Sequence, residues 1–162
     1  MPATYEPIAT TTASGSQTTI TLSSIPATYT DLKLVVDGTV ATNDFVYIRL
    51  NSDTGSNYST TWIIGDGSTA SSLRQTAADK IYTDFYVTST GRSVMVAEFN
   101  NYSNTTTYKT VLMRSNNASN RVSLACGLWR NTAAITSITV YSTTGYNFSS
   151  STTFTLYGIK AA

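Results

Sequence analysis

Apolar residues fall at every second position through most of this chain. Leu32, Leu34 and Val36 alternate with Asp31, Lys33 and Val35; Val46, Ile48 and Leu50 alternate with Phe45, Tyr47 and Arg49. Side chains switch faces at each residue of a strand, so this period predicts half-buried antiparallel β-strands with one apolar face each. Gln17–Leu22 has the same rhythm. Thr60–Ile64, Lys80–Val87, Ser93–Asn100, Tyr108–Arg114, Arg121–Trp129, Ile135–Tyr141 and Thr153–Ile159 add seven more strands, separated by Asn-, Ser-, Thr- and Gly-rich turns. About ten short strands at near-regular spacing, with no sustained helical period, predict an all-β, antiparallel, jelly-roll-like sandwich over residues 17–162.

Two segments fall outside the rhythm. Met1–Ser16 is polar and interrupted by Pro2 and Pro7, which predicts an extended N-terminal arm whose order depends on a partner. Ser68–Asp79 reads as a long loop, with one helical turn near Leu73–Ala78 as the alternative. Face parity places Val122, Leu124, Cys126 and Leu128 in the core. Trp129 then faces outward, unless Gly127 hosts a bulge that resets the register. On the last strand Phe154 and Leu156 face one way and Tyr157 and Ile159 the other, which predicts cover on both sides.

Composition narrows the function more than the fold. Of 162 residues only 12% are charged, the net charge is +1, and the six Arg and four Lys are scattered. No basic stripe with interleaved aromatics exists, which argues against nucleic acid. About a third of the residues are Ser or Thr, and Tyr outnumbers Phe 11 to 5. Both preferences suit sheet surfaces and protein contacts. No apolar run approaches the ~20 residues of a membrane-spanning helix, no secretory leader is visible, and one cysteine cannot form an intrachain disulfide.

Chemistry is sparse. The chain has no His, so it lacks the commonest general base and metal ligand. Asp31 and Asp37 share a strand face but lie ~20 Å apart when extended, beyond the reach of a glycosidase pair. Asp79 and Asp84 have opposite parity, and Glu98 fits an ion pair with an Arg. Asn51, Asp53 and Asn57 are a conceivable Ca²⁺ loop without EF-hand spacing; a self-bonded turn explains them better. On that reading Asp53→Ala costs ~1 kcal/mol. No enzyme, cofactor or metal is expected.

Four segments carry a resemblance: TYEPIATTT (4–12), SSIPATYTDLKLVV (23–36), RLNSDTGSNYS (49–59) and FTLYGIK (154–160). Together they resemble a family of small virion proteins of tailed bacteriophages. The resemblance implies a non-enzymatic β-sandwich in the virus particle, made in the host bacterial cytoplasm. The leading expectation is a head decoration (cement) protein bound to the major capsid protein or other virion proteins and to copies of itself, with a trimer as the expected assembly. The alternative is a tail-fibre or receptor-binding protein contacting host surface glycans, and a weaker one is a hydrolase of envelope polymers. Expected partner contacts are Tyr5, Pro7 and Ile8 on the arm with Trp129, Tyr157 and Ile159. Expected loop contacts are Asn51, Asp53, Asn57, Tyr58 and Tyr102.

Overall fold

In the computed structural model, which describes residues 4–117 and 119–160, twelve strands form two antiparallel sheets. They are β1 (Tyr5–Thr12), β2 (Thr19–Leu22), β3 (Asp31–Gly38), β4 (Asp44–Leu50), β5 (Tyr58–Gly65), β6 (Ala70–Ala78), β7 (Ile81–Val87), β8 (Ser93–Phe99), β9 (Lys109–Asn116), β10 (Val122–Trp129), β11 (Ile138–Ser142) and β12 (Thr153–Ile159). The larger sheet has the order β1-β12-β3-β8-β9-β10-β5-β6 and the smaller β2-β11-β4-β7. The chain crosses between the sheets repeatedly, and its first and last strands pair, as in a jelly-roll-like sandwich. Leu32, Leu34, Val36, Met95, Ala97, Phe154 and Leu156 of the larger sheet are buried against Val46, Ile48, Ile81, Phe85, Ile138 and Val140 of the smaller. The expected fold class is therefore the observed one.

Three expectations are overturned. Tyr5–Thr12 is no free arm: it pairs with β12 from Tyr5↔Ile159 to Thr12↔Thr153, so its order needs no second molecule. Pro7 is accommodated because β1 is an edge strand whose register shifts between Pro7 and Ala9, one of the few sheet positions where a missing N–H does no harm. Met1–Ala3 lie outside the described residues. Second, residues 70–78 are strand β6 rather than a loop or helical turn. Their alternation is invisible because Ala70–Ala77 are exposed throughout; backbone pairing to β5 alone makes the strand.

Third, the parity of β10 is reversed. Ser123, Ala125, Gly127 and Trp129 face the core, while Val122, Leu124 and Cys126 are exposed and Leu128 is half-buried. The register of β10 with β5 and β9 runs unbroken from Val122 to Trp129, so no bulge is involved. The inner face takes small residues here because β7 packs close. A Cβ on Gly127 would lie 2.8 Å from Val111 Cγ1 and 2.9 Å from Ile81 Cγ2. Trp129 fills the wider space at the strand end. On β12, Tyr157 and Ile159 do face away from Phe154 and Leu156 and are half-buried, opposite Pro7 and Tyr5 of β1.

Gly158 shows how tightly the N- and C-terminal parts of the chain are locked. The Tyr29 ring lies where its Cβ would be, 2.3 Å from the nearest ring carbon. The Tyr29 hydroxyl donates to Glu6 at 3.2 Å, and the Lys160 ammonium donates to Glu6 at 2.8 Å. Gly158→Ala should cost about 2 kcal/mol by displacing that ring, measurable as a lower denaturant midpoint with an unchanged slope.

Candidate interaction surface

Most of the expected loop contacts turn inward. Asn51 follows β4 with a φ of 49° and pins the 134–137 segment. Its Nδ2 donates to the Ala134 carbonyl at 2.8 Å, and its Oδ1 accepts from the Thr136 and Ser137 amides at 2.8 and 3.1 Å. Asp53 accepts from the Trp129 indole at 2.7 Å, from Asn57 Nδ2 at 2.8 Å and from the Gly55 amide at 2.8 Å. Burial alone would push its carboxyl upward. The bonds from Trp129, Asn57 and Gly55, with the nearby Arg49 charge, outweigh that and hold it below the usual carboxylate value. Both carboxylate oxygens are thus engaged by protein donors.

Tyr58 is buried and stacks on Trp129 with ring centroids 6.2 Å apart. Its hydroxyl lies 3.2 Å from the Leu50 carbonyl and 3.1 Å from that of Asp53, and burial pushes its pKa well above the ordinary value. Tyr102 is likewise buried, donating to the Pro26 carbonyl. The 51–59 loop is a brace, and Asn51, Asp53, Asn57, Tyr58 and Tyr102 hold the fold together.

The expected partner contacts divide. Trp129 is in the core, and Ile8 is half-buried against it. Tyr5, Pro7, Tyr157 and Ile159 do gather: Tyr5 opposes Ile159 and Pro7 opposes Tyr157 on the outer face of the larger sheet. Lys33 lies 5.1 Å from the Tyr5 ring and pairs at 3.1 Å with Glu98. The partner of Glu98 is therefore Lys33, not an Arg.

Toward the other end of this same face lies a surface that sequence reasoning missed. Register places Val96, Arg114, Leu124 and Ile63 in one row across β8, β9, β10 and β5, with Glu98, Leu112, Cys126 and Thr61 in the next. Ile63, Leu112, Val122 and Leu124 are 54, 47, 60 and 45% exposed, an apolar cluster of the kind that marks contact sites. A shallow depression of 680 Å³ runs over Ile63, Ala70, Val122 and Leu124, with Arg114 on its wall. Among the described residues, no carboxylate pairs with Arg114, whereas Arg49, Arg92 and Arg121 each have one. The alternation on β10 was the available signal, but assigning its bulkier apolar set to the core concealed it. Lys109 was missed too. Buried at the start of β9, it donates to the carbonyls of Thr107 and Thr132 at 2.8 and 3.0 Å, and burial lowers its pKa.

No protein-family model matches the chain, and no curated protein matches it in sequence. Solved structures of similar shape include the galectin LEC-6 of Caenorhabditis elegans, at 10% identity and a TM-score of 0.44 over 94% of this chain and 96% of that one. They also include the alginate lyase Aly36B, at 8% identity and a TM-score of 0.32 over 83% and 72%, and the marine PL-14 alginate lyase from Aplysia kurodai, at 9% and 0.28 over 85% and 72%. Likeness at this level transfers no activity; the class of this protein, an antiparallel β-sandwich, rests on its own strand order.

Proposed function

We propose that this protein is a non-enzymatic structural component of a bacteriophage particle, a decoration protein that docks on the major capsid protein through the outer face of its larger sheet. The observation that carries the reading is the apolar cluster of Ile63, Leu112, Val122 and Leu124 around the unpaired Arg114. Fully burying a Leu or Ile side chain contributes about 1.5–3 kcal/mol, and an Arg at the centre of an apolar patch is a frequent anchor in protein interfaces. The matching surface would offer apolar side chains and a carboxylate. Tyr5 and Tyr157, near the other edge of the same face, suit contacts between neighbouring copies on the lattice. The four segments resembling small phage virion proteins support the same assignment.

Adding purified protein to particles that lack it tests the reading. Wild-type protein should bind the head and raise its resistance to heat. Leu124→Asp, a change on an exposed position, should leave folding within about 0.5 kcal/mol while weakening attachment at least tenfold. Equal attachment by the variant, or labelling of the tail instead of the head, would overturn it. The second reading, a tail-fibre protein contacting glycans, loses its loop residues to the brace described above; what favours it is a cleft lined by Phe45, Tyr47, Trp62 and Tyr82 between the edges of the two sheets.

A further inference from the structure

The two sheets differ in width, and β6 extends the larger one beside β7, the edge of the smaller. In the resulting angle, Trp62 and Leu73 from the inner face of the larger sheet meet Phe45, Tyr47 and Tyr82 from the outer face of the smaller, around a cleft of 250 Å³. The Trp62 and Tyr82 rings are parallel within 2° with centroids 5.9 Å apart, and Tyr82 packs on Tyr47 at 4.7 Å. Polar groups stand on both walls: Gln75 on β6, and the Asp84–Arg121 pair opposite. Trp62 is only 8% exposed, yet among the described residues its indole Nε1 has no hydrogen-bond partner. A buried indole N–H normally has an acceptor.

We propose that this cleft binds one ring of a neutral saccharide. A pyranose presents an apolar C–H face that packs on aromatic rings and a rim of hydroxyls that both donate and accept. Here the aromatic walls meet the first requirement, and Gln75, Asp84 and Arg121 meet the second. A hydroxyl oxygen also provides the acceptor that Trp62 Nε1 lacks, whereas a purely apolar occupant leaves that N–H unsatisfied. The space is smaller than the roughly 300–1,000 Å³ typical of drug-sized ligands, so it suits a single ring rather than a chain. Asp84 and Arg121 neutralise each other, which favours an uncharged sugar. Nε1 is sealed from solvent without ligand, so its bond requires the outer wall to shift. Leu73 and Gln75 of β6, an edge strand paired on one side only, stand on that wall.

The test is titration of the full chain with glucose, galactose and N-acetylglucosamine, read by tryptophan fluorescence and by saturation-transfer NMR on the sugar. Saturable binding of at least one, with a Kd of about 1 mM, is expected. Leu73→Glu, on the exposed edge strand, should weaken it at least tenfold without moving the thermal transition. Leu124→Asp, on the opposite face of the larger sheet, should leave it unchanged. Absence of a saturable signal for all three sugars at about 50 mM, well above that Kd, would overturn the proposal. So would undiminished binding by Leu73→Glu, or saturable binding of phenol without sugar binding, which would assign the cleft to an aromatic side chain of a protein partner. The attachment of Leu124→Asp to particles is a separate measurement, so failure here leaves the docking face untouched.

Discussion

Asp53→Ala is expected to lower the unfolding free energy by about 3 kcal/mol, a fall of roughly 6–12 °C in the thermal midpoint for a chain of this size. A self-bonded turn would lose about 1 kcal/mol. The larger value follows from what Asp53 holds: two bonds within its loop and a third from the indole of Trp129, a residue 1% exposed. Alanine leaves that N–H buried without an acceptor, and hydrogen bonds to a charged acceptor contribute about 1.5–3 kcal/mol each. Asp53→Asn keeps an acceptor oxygen and should lose less. Trp129→Phe removes the donor, so the Asp53→Ala/Trp129→Phe double variant should be less destabilised than the two single losses added, by at least about 1 kcal/mol. Strict additivity in that cycle would show that the two residues do not act together.

The same carboxylate sets an acid limit. Its folded pKa lies below the ordinary 3.8 because the three donors outweigh desolvation. A depressed carboxylate binds its proton less readily folded than unfolded, so its contribution is fully present above the unfolded value and is lost as pH falls through the folded one. Unfolding free energy should therefore be flat between about pH 5 and 7 and decline below about pH 4. In Asp53→Asn the decline should be shallower; an identical slope would remove Asp53 from the acid transition.

The strands whose apolar residues alternate cleanly were legible because burial on one face writes itself into a period of two. β3 and β4 hold the predicted residues on the predicted faces. Where both faces carry apolar groups the period gives no direction: β10 offers Val122, Leu124, Cys126 and Leu128 on one side and Ala125 and Trp129 on the other. The choice was made by the closeness of β7 over Gly127, a contact between residues 81 and 127 that no local pattern contains. β6 was illegible for the opposite reason, since an edge strand exposed on both faces has no hydrophobic signal at all. β1 was hidden by composition, because its partner residues on β12 lie 141 or more positions away. The sequence marks the Asn51–Ser59 loop as a structural device, but its central contact, Trp129, lies 76 residues from Asp53, and parity alone leaves the face of that ring undecided. The exposed apolar face around Arg114 and the cleft beside Trp62 both depend on parity and sheet width, which emerge only when the strands are assembled.

Arg121→Ala should be the most destabilising change at a partly exposed position, costing about 3–5 kcal/mol. Its partner is the reason. The side chain of Asp84 is 5% exposed, and it receives Arg121 Nε at 3.1 Å and Nη2 at 2.5 Å. Asp84 sits in a bulge of β7, where the pairing with β4 skips from Phe85 to Tyr82, and its φ of 52° is a strained value for a residue with a side chain. The Asp84 carbonyl, turned out of the β4–β7 ladder, accepts from Ser115 at 3.4 Å and Ser123 at 3.3 Å on the larger sheet. The bulge thus bridges the two sheets, with the ion pair holding one side and the serine pair the other. Removing the guanidinium leaves a buried carboxylate with no counter-charge, which costs more than the pair contributes when intact. Asp84→Ala combined with Arg121→Ala should therefore recover part of the loss seen with Arg121→Ala alone, measured as the denaturant midpoint at constant slope. If Arg121→Ala unfolds at the wild-type midpoint, the bridge rests on Ser115 and Ser123, and their replacement by Ala should then produce the loss instead.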